Sequence, residues 1–125
     1  MKSEHIFIID DDKFFAKYFM MRCRLLVNDD VEFHHFTGLR PMFPAHSSIV
    51  PSLILLDNEL NGEHGVESIP ELTEMYPNTE VILISAMNAE ELSEYAVKNG
   101  ASRFISKDDI LSLIHISEPT RRVFI

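Results

Sequence analysis

The residues of this chain that can do chemistry stand at the ends of short apolar runs. Asp10, Asp11 and Asp12 follow directly on His5-Ile6-Phe7-Ile8-Ile9, and Asp57 closes the run Leu53-Ile54-Leu55-Leu56. Ser85 lies near the end of a third run, Glu80 to Ala86, and Lys107 follows a fourth, Ser102 to Ser106. Gathered at one edge, the carboxylates of Asp10, Asp11 and Asp57 repel one another unless a hard cation or a proton sits among them. Oxygen ligands that leave room for water and phosphate oxygens suit Mg²⁺. A carboxylate can also act as the nucleophile in phosphoryl transfer, giving an acyl phosphate. The metal, the Lys107 ammonium and the Ser85 hydroxyl would then hold the phosphoryl oxygens. Asp57 stands alone and is the nucleophile candidate; Asp10 and Asp11 are adjacent and better arranged as metal ligands.

The elements that must position these groups follow from periodicity. Continuous apolarity over His5–Ile9 and Leu53–Leu56 suits strands buried on both faces, the mark of a parallel sheet. Between them, Lys13 to Val27 reads as an amphipathic helix with Phe14, Tyr18, Met21 and Leu25 inward and Phe15, Phe19 and Leu26 on the adjoining row. Val31 to Phe36 alternates and reads as an edge strand. Gly38, Pro41, Pro44 and Pro51 leave one or two helical turns at most in residues 37–51. A helix is expected from Gly65 to Tyr76, kinked or shortened by Pro70 and ended by Pro77. Glu80 to Ala86 is a fourth strand. Asn88 with Glu91 resembles a capping box for a helix from Ala89 to Asn99, with Gly100 as its left-handed stop. Ser102 to Ser106 is a fifth strand. The alternation predicts an α/β fold: a doubly wound, five-stranded parallel sheet, flavodoxin-like with strand order 2-1-3-4-5 and helices on both faces. Asp10, Asp57, Ser85 and Lys107 then share the rim where such sheets bind ligands.

Composition narrows the classes of function. The chain has 125 residues, 46% hydrophobic, enough for one domain with one core. A net charge of −9 disfavours direct binding of nucleic acid by this segment. No apolar run is long enough for a membrane span, and the amino-terminal run closes on aspartates instead of a secretory cleavage site, so a cytoplasmic location is expected. The lone cysteine, Cys23, offers no internal disulfide and reads as packing on its helix. His34, His35 and His46 read as surface or internally satisfied residues, because no second ligand at metal spacing accompanies them in sequence.

In order and spacing, these segments resemble the receiver domain of two-component response regulators. The matching pieces are Ile6 to Asp12, Leu53 to Gly65, Ile82 to Ala86 and Asn99 to Lys107. The resemblance implies that Asp57 accepts a phosphoryl group from a histidine kinase or phosphotransfer protein. It implies Mg²⁺ held by Asp10, Asp11, Asp57 and the Glu59 main-chain carbonyl. Ser85 and Lys107 would bind the phosphoryl group, and Phe104 would swing inward as Ser85 moves. Such a domain labels and unlabels itself but is not otherwise an enzyme, and it addresses an output domain at the face of its fourth helix and fifth strand.

Several positions depart from the family pattern. Asp108 stands where a proline usually follows the lysine, so a trans bond and a differently shaped loop are expected. Asn61 replaces another common proline. Met87 and Glu59 occupy positions that tune hydrolysis of the acyl phosphate, and the apolar Met87 suggests slow loss. Two rival readings remain: a phosphorylation-independent pseudo-receiver, and an aspartate-nucleophile phosphohydrolase, since Asp57-Asn58-Glu59 also resembles the haloacid dehalogenase plan, with Glu59 where a second aspartate is usual. Leu111 to Arg121 resembles one translated frame of a transposase sequencing adapter. The expected division is therefore a receiver over 1–110 and a foreign tail over 111–125 in place of the native last helix. That loss would bare Ile105 and Ile110 and favour aggregation.

Overall fold

The computed structural model describes residues 4–40, 42 and 48–114. Five strands form one parallel sheet: β1 (Glu4–Ile9), β2 (Val31–Phe36), β3 (Leu53–Asp57), β6 (Glu80–Ser85) and β7 (Arg103–Ser106), in the order β2-β1-β3-β6-β7. Counted along the main sheet, this is the expected order 2-1-3-4-5. A two-stranded antiparallel hairpin, β4 (Glu59–Leu60) and β5 (Glu63–His64), lies outside the sheet. Asn61 (φ 43°) and Gly62 (φ 87°) make its tip.

Side chains alternate across the sheet into two cores. Phe7, Ile9, Ile54, Leu56, Val81 and Leu83 face α2 (Ile69–Met75), α3 (Glu90–Lys98) and the helical residues Leu39 and Met42. On the other face, Ile8, Leu55 and Ile84 meet Phe15, Ala16 and Phe19 of α1 (Lys13–Arg24), with Ile110 and Ile114 of α4 (residues 107–114). A helix of this kind on each face is what lets the central strands be apolar on both sides.

Four local expectations are corrected. The inward stripe of α1 is Phe15, Ala16 and Phe19, while Phe14 is 88% exposed and Met21 and Leu25 are also on the outside. Apolar residues surround much of this helix, so their spacing alone does not fix its rotation; its start is fixed by the Asp12 cap, which accepts from the amides of Phe14 and Phe15 at 3.1 Å. The expected helix over Gly65–Tyr76 is a 3₁₀ turn (Gly65–Ser68) continued by α2, with Pro70 in the first turn, where its missing amide costs nothing. Ala89, not Asn88, stands at the N-cap of α3 and makes no side-chain cap, so Asn88 and Glu91 form no capping box. Its end is as expected: Gly100 takes φ +116°, and the Ala101 amide donates to the Ala96 carbonyl at 3.0 Å.

The fourth correction concerns the carboxy-terminal face. Ile110 is 7% exposed and Ile105 is half-buried, because α4 continues through Ile114 and covers them. The remainder of the adapter-like tail, 115–125, and His46 lie outside the described residues. Cys23 is partly buried against the second core, and burial pushes its thiol up to about 11, which suits packing.

Ile114 closes the second core from the far end of α4. Replacing it by alanine should cost about 2 kcal/mol, the lower end of the range for buried isoleucine because the helix end can settle. Urea denaturation followed by circular dichroism checks this, and an unchanged midpoint would mean that α4 does not cover the sheet in solution.

Candidate active site

Because β1 and β3 are neighbours, with Ile9 paired to Leu56, the residues that follow each of these, Asp10 and Asp57, arrive side by side at one rim. Both are buried, at 0% and 1% exposure. Ser85 ends β6, the next strand, and Lys107 follows Ser106 of β7, so the four expected rim residues do converge.

Lys107 joins the two carboxylates. Its Nζ lies 3.0 Å from Asp10 Oδ2 and 3.5 Å from Asp57 Oδ2, over the Phe15 ring at 4.6 Å. Burial works to lower the lysine's affinity for its proton, but the hydrogen bond and charge of Asp10, with help from Asp57 and Asp12, outweigh it and raise the pKa. The ammonium therefore stays charged. The Lys107–Asp108 bond is trans, as expected from the missing proline.

One cation does not balance this pocket. The Asp57 carboxyl is pushed up to about 8, first by burial and then by the Asp10 charge, against the lowering effects of Lys107 and of the Glu59 amide that donates to it. Asp57 Oδ1 is buried without a hydrogen-bond partner among the described residues. Asp11 completes the acidic group: one oxygen from each of Asp10, Asp11 and Asp57 falls within 4.8 Å of the others. A buried orphan oxygen among three carboxylates is what a hard divalent cation would satisfy, so the residues present fit such an ion.

The surrounding backbone holds these groups rigidly. Asp10 Oδ1 accepts from the Asp12 amide at 2.8 Å, and Asp11 Oδ2 accepts from the Asn61 amide at 3.0 Å, tying the acidic loop to the hairpin tip. Asn58 accepts from Gly65 N through its carbonyl at 2.8 Å and from Val66 N through its side chain at 3.0 Å. A methyl group on Gly65 would lie 2.3 Å from the Asp57 carbonyl oxygen, so only glycine permits this approach. The sequence reading missed one contributor: His35 Nε2 lies 2.8 Å from the Asp10 carbonyl oxygen, a contact between β2 and the end of β1 that no local spacing announces.

Ser85 and Glu59 form a second cluster beside the first. The Ser85 hydroxyl donates to the Glu59 carboxylate at 2.8 Å, and the Ala86 amide donates to the same group at 3.1 Å. Ser85 is thus on the rim but engaged with Glu59, an arrangement not expected from the sequence. Phe104 is half-buried and packs on the first core. An open cleft of about 770 Å³ adjoins the pocket, lined by Asp12, Phe14, Tyr18, Lys107 and Leu111 among others.

The family profile described as response regulator receiver domain matches residues 6–116. The nitrate/nitrite response regulator protein NarL of Escherichia coli (strain K12) is 35% identical over 72 residues, covering 54% of this chain but 33% of NarL. The chain thus spans only a fraction of that relative's length. The signal receiver domain of a DNA-binding response regulator from Colwellia psychrerythraea superposes with a TM-score of 0.80 at 18% identity, over 94% of this chain and 97% of that one. A response regulator protein from Burkholderia pseudomallei, determined with a phosphorylated aspartic acid, calcium ion and citrate, gives a TM-score of 0.77 at 17% identity, over 90% and 65% of the two chains.

The raised Asp57 pKa has a consequence for stability. Between its ordinary value of 3.8 and about 8, the folded chain keeps a proton that the unfolded chain has lost. Cation-free protein should therefore lose stability as pH rises across that window. Thermal melts in a chelating buffer from pH 5 to 9 should show this decline, excess divalent cation should reduce it, and Asp57→Asn should be the more stable protein above pH 8. Parallel profiles for the two proteins would contradict the buried carboxylate pair.

Proposed function

The chain belongs to the response regulator receiver domain family, and on that basis we propose that it is a phosphoacceptor of two-component signalling, with Asp57 taking the phosphoryl group from a histidine kinase or phosphotransfer protein. The observation that carries this reading is the buried Asp57 carboxylate, with one oxygen unpaired and the other 3.5 Å from the Lys107 ammonium. In the transfer, an Asp57 oxygen bonds to phosphorus while the bond from phosphorus to the donor nitrogen breaks. The electron pair leaves with the donor imidazole, which regains neutrality by taking a proton, and the product is an acyl phosphate.

The resident ion we infer is Mg²⁺, held by Asp10, Asp11, Asp57 and the Glu59 main-chain carbonyl; when bound, it offsets the negative charge of the phosphoryl oxygens. Lys107 pairs with one of those oxygens from its place beside Asp57. Ser85 reaches another by leaving the Glu59 carboxylate, and Phe104 follows into the space behind it. Phosphorylation then biases a pre-existing equilibrium at the face of α3 and β7, where a linked output domain would read it. We place this activity in the cytoplasm; among the described residues, no helix is long and apolar enough to cross a membrane. Beyond labelling and unlabelling itself, the domain turns over no substrate.

We also place the receiver boundary at residue 110, with 111–125 a foreign segment. Its support is the adapter-like string from Leu111 to Arg121. The first four of those residues complete α4 all the same. Reading the gene from a library prepared without that adapter should give different codons after residue 110, and identical codons would return the tail to the native protein.

Intact mass after incubation with Mg²⁺ and acetyl phosphate tests the central claim. One phosphoryl adduct is expected, dependent on Mg²⁺ and absent from Asp57→Asn. A folded chain that never labels would instead be a pseudo-receiver, and repeated turnover of a phosphate ester would make it a phosphohydrolase.

Docking of the donor is separable from the chemistry. Phe14 is almost fully exposed on the cleft beside Lys107, so it offers an apolar contact to an incoming protein. Phe14→Ala should slow transfer from a phosphorylated donor protein by about tenfold, equivalent to about 1.4 kcal/mol, while labelling by acetyl phosphate stays unchanged. Equal loss with both donors would place Phe14 in the chemistry or the fold.

A further inference from the structure

At the opposite end of the same strands lies a second cluster of ligand-type side chains. The parallel register sets His5 of β1 beside Glu32 of β2, and the pleat puts Glu32 and His34 on one face of β2. His5 Nδ1 then lies 2.9 Å from His34 Nε2, and that same nitrogen lies 3.5 Å from Glu32 Oε2. The cluster is about 16 Å along β1 from the acidic pocket, at about 3.3 Å per residue. His5 and His34 are 29 positions apart. The absence of a partner at metal spacing in the sequence is therefore made good by strand pairing.

We propose that His5, Glu32 and His34 form a site for a divalent transition-metal ion of the zinc class, clamping the edge strand β2 to β1. Each neutral imidazole carries one hydrogen on one of its two nitrogens. A single hydrogen can serve the contact between the two rings, and His34 Nε2 cannot donate to both His5 and Glu32 in a linear bond. Three atoms that can each offer a lone pair therefore converge on one point. A cation would draw on all three: with the ring hydrogens on His5 Nε2 and His34 Nδ1, the two facing nitrogens and a Glu32 oxygen would be its ligands.

The distances fit. With metal–nitrogen bonds of about 2.0–2.1 Å in a tetrahedron, two ligating atoms stand about 3.3 Å apart. One pair in the cluster needs to open, and the other to close, by only a few tenths of an ångström, and all three candidate ligand atoms lie within 4.8 Å of one another. The His34 side chain is 9% exposed and its ring is set by Phe7 in an edge contact at 5.3 Å, whereas Glu32 is 44% exposed and leaves an approach from solvent. Two imidazoles and one carboxylate suit zinc, copper or nickel better than magnesium or calcium. The site also sits where a clamp has most effect, since β2 is an outer strand paired on one side only.

Zinc titration of the full chain, without a histidine tag, at pH 7.5 and in saturating Mg²⁺ to fill the acidic pocket, tests the proposal by calorimetry and thermal melting. One equivalent of Zn²⁺ is expected, with a rise in Tm of several degrees. His5→Gln and the surface substitution Glu32→Gln, each shown to be folded by circular dichroism, should weaken zinc binding by tenfold or more and remove the rise in Tm. Asp57→Asn should keep both. The proposal is overturned if the native chain takes up no zinc, if His5→Gln and Glu32→Gln bind it as tightly as the native chain, or if Asp57→Asn abolishes it.

Discussion

Two carboxylates buried side by side set the terms for the rest of this molecule. Asp10 and Asp57 meet because their strands are adjacent in the sheet, and their burial forbids both from ionising at ordinary cost. The features around them answer that constraint. Lys107 arrives from the last strand to sit against both. The Asp12 amide takes one Asp10 oxygen and the Glu59 amide donates to Asp57. The lack of a side chain at Gly65 lets the hairpin return close over the Asp57 carbonyl. What these contacts leave unsatisfied is one Asp57 oxygen and an excess of negative charge, which is the electrostatic description of a cation site.

The architecture was legible because its signals are redundant. Each central strand is apolar on both faces, and the polar residue that ends each run marks the same rim, so strand order and site could be read together. What escaped the sequence is single-signal detail. The inward face of α1 is ambiguous in sequence because apolar residues of similar size lie on several sides of the helix. Asn88 and Glu91 have the right spacing for a cap, yet α3 begins one residue later, in an extended Ala89. The hairpin after Asp57 is held by contacts to Asp11 and Asn58 that lie up to 50 residues apart. His5 and His34 show the same limit from the other side: cross-strand pairs have no fixed separation in sequence, so a spacing rule built for helices and loops passes over them.

The covered face of the sheet illustrates a different point. Ile110 and Ile114 are four apart, and both turn inward from α4 although the segment after residue 110 resembles an adapter. Burial of this kind requires only apolar side chains at helical spacing and a helix start in place, here the Asp109 amide bonded to the Ser106 hydroxyl at 3.1 Å. Volume and patterning are what closing a core asks of such a segment. The provenance of a segment and its fit to a core are therefore separate questions.

Glu59 connects Asp57 to the end of β6. Its amide faces the Asp57 carboxylate, while its own carboxylate holds the Ser85 hydroxyl and the Ala86 amide at the end of β6. Adding a phosphoryl group to Asp57 would place one to two further negative charges near that carboxylate. Repulsion would loosen Glu59 from the end of β6 at the moment when Ser85 gains a more highly charged acceptor on the other side. Both effects act in the same direction, and neither requires a large backbone movement. The hydrogen bond from the buried Ser85 hydroxyl to Glu59 is thus the contact that a charge added at Asp57 would weaken.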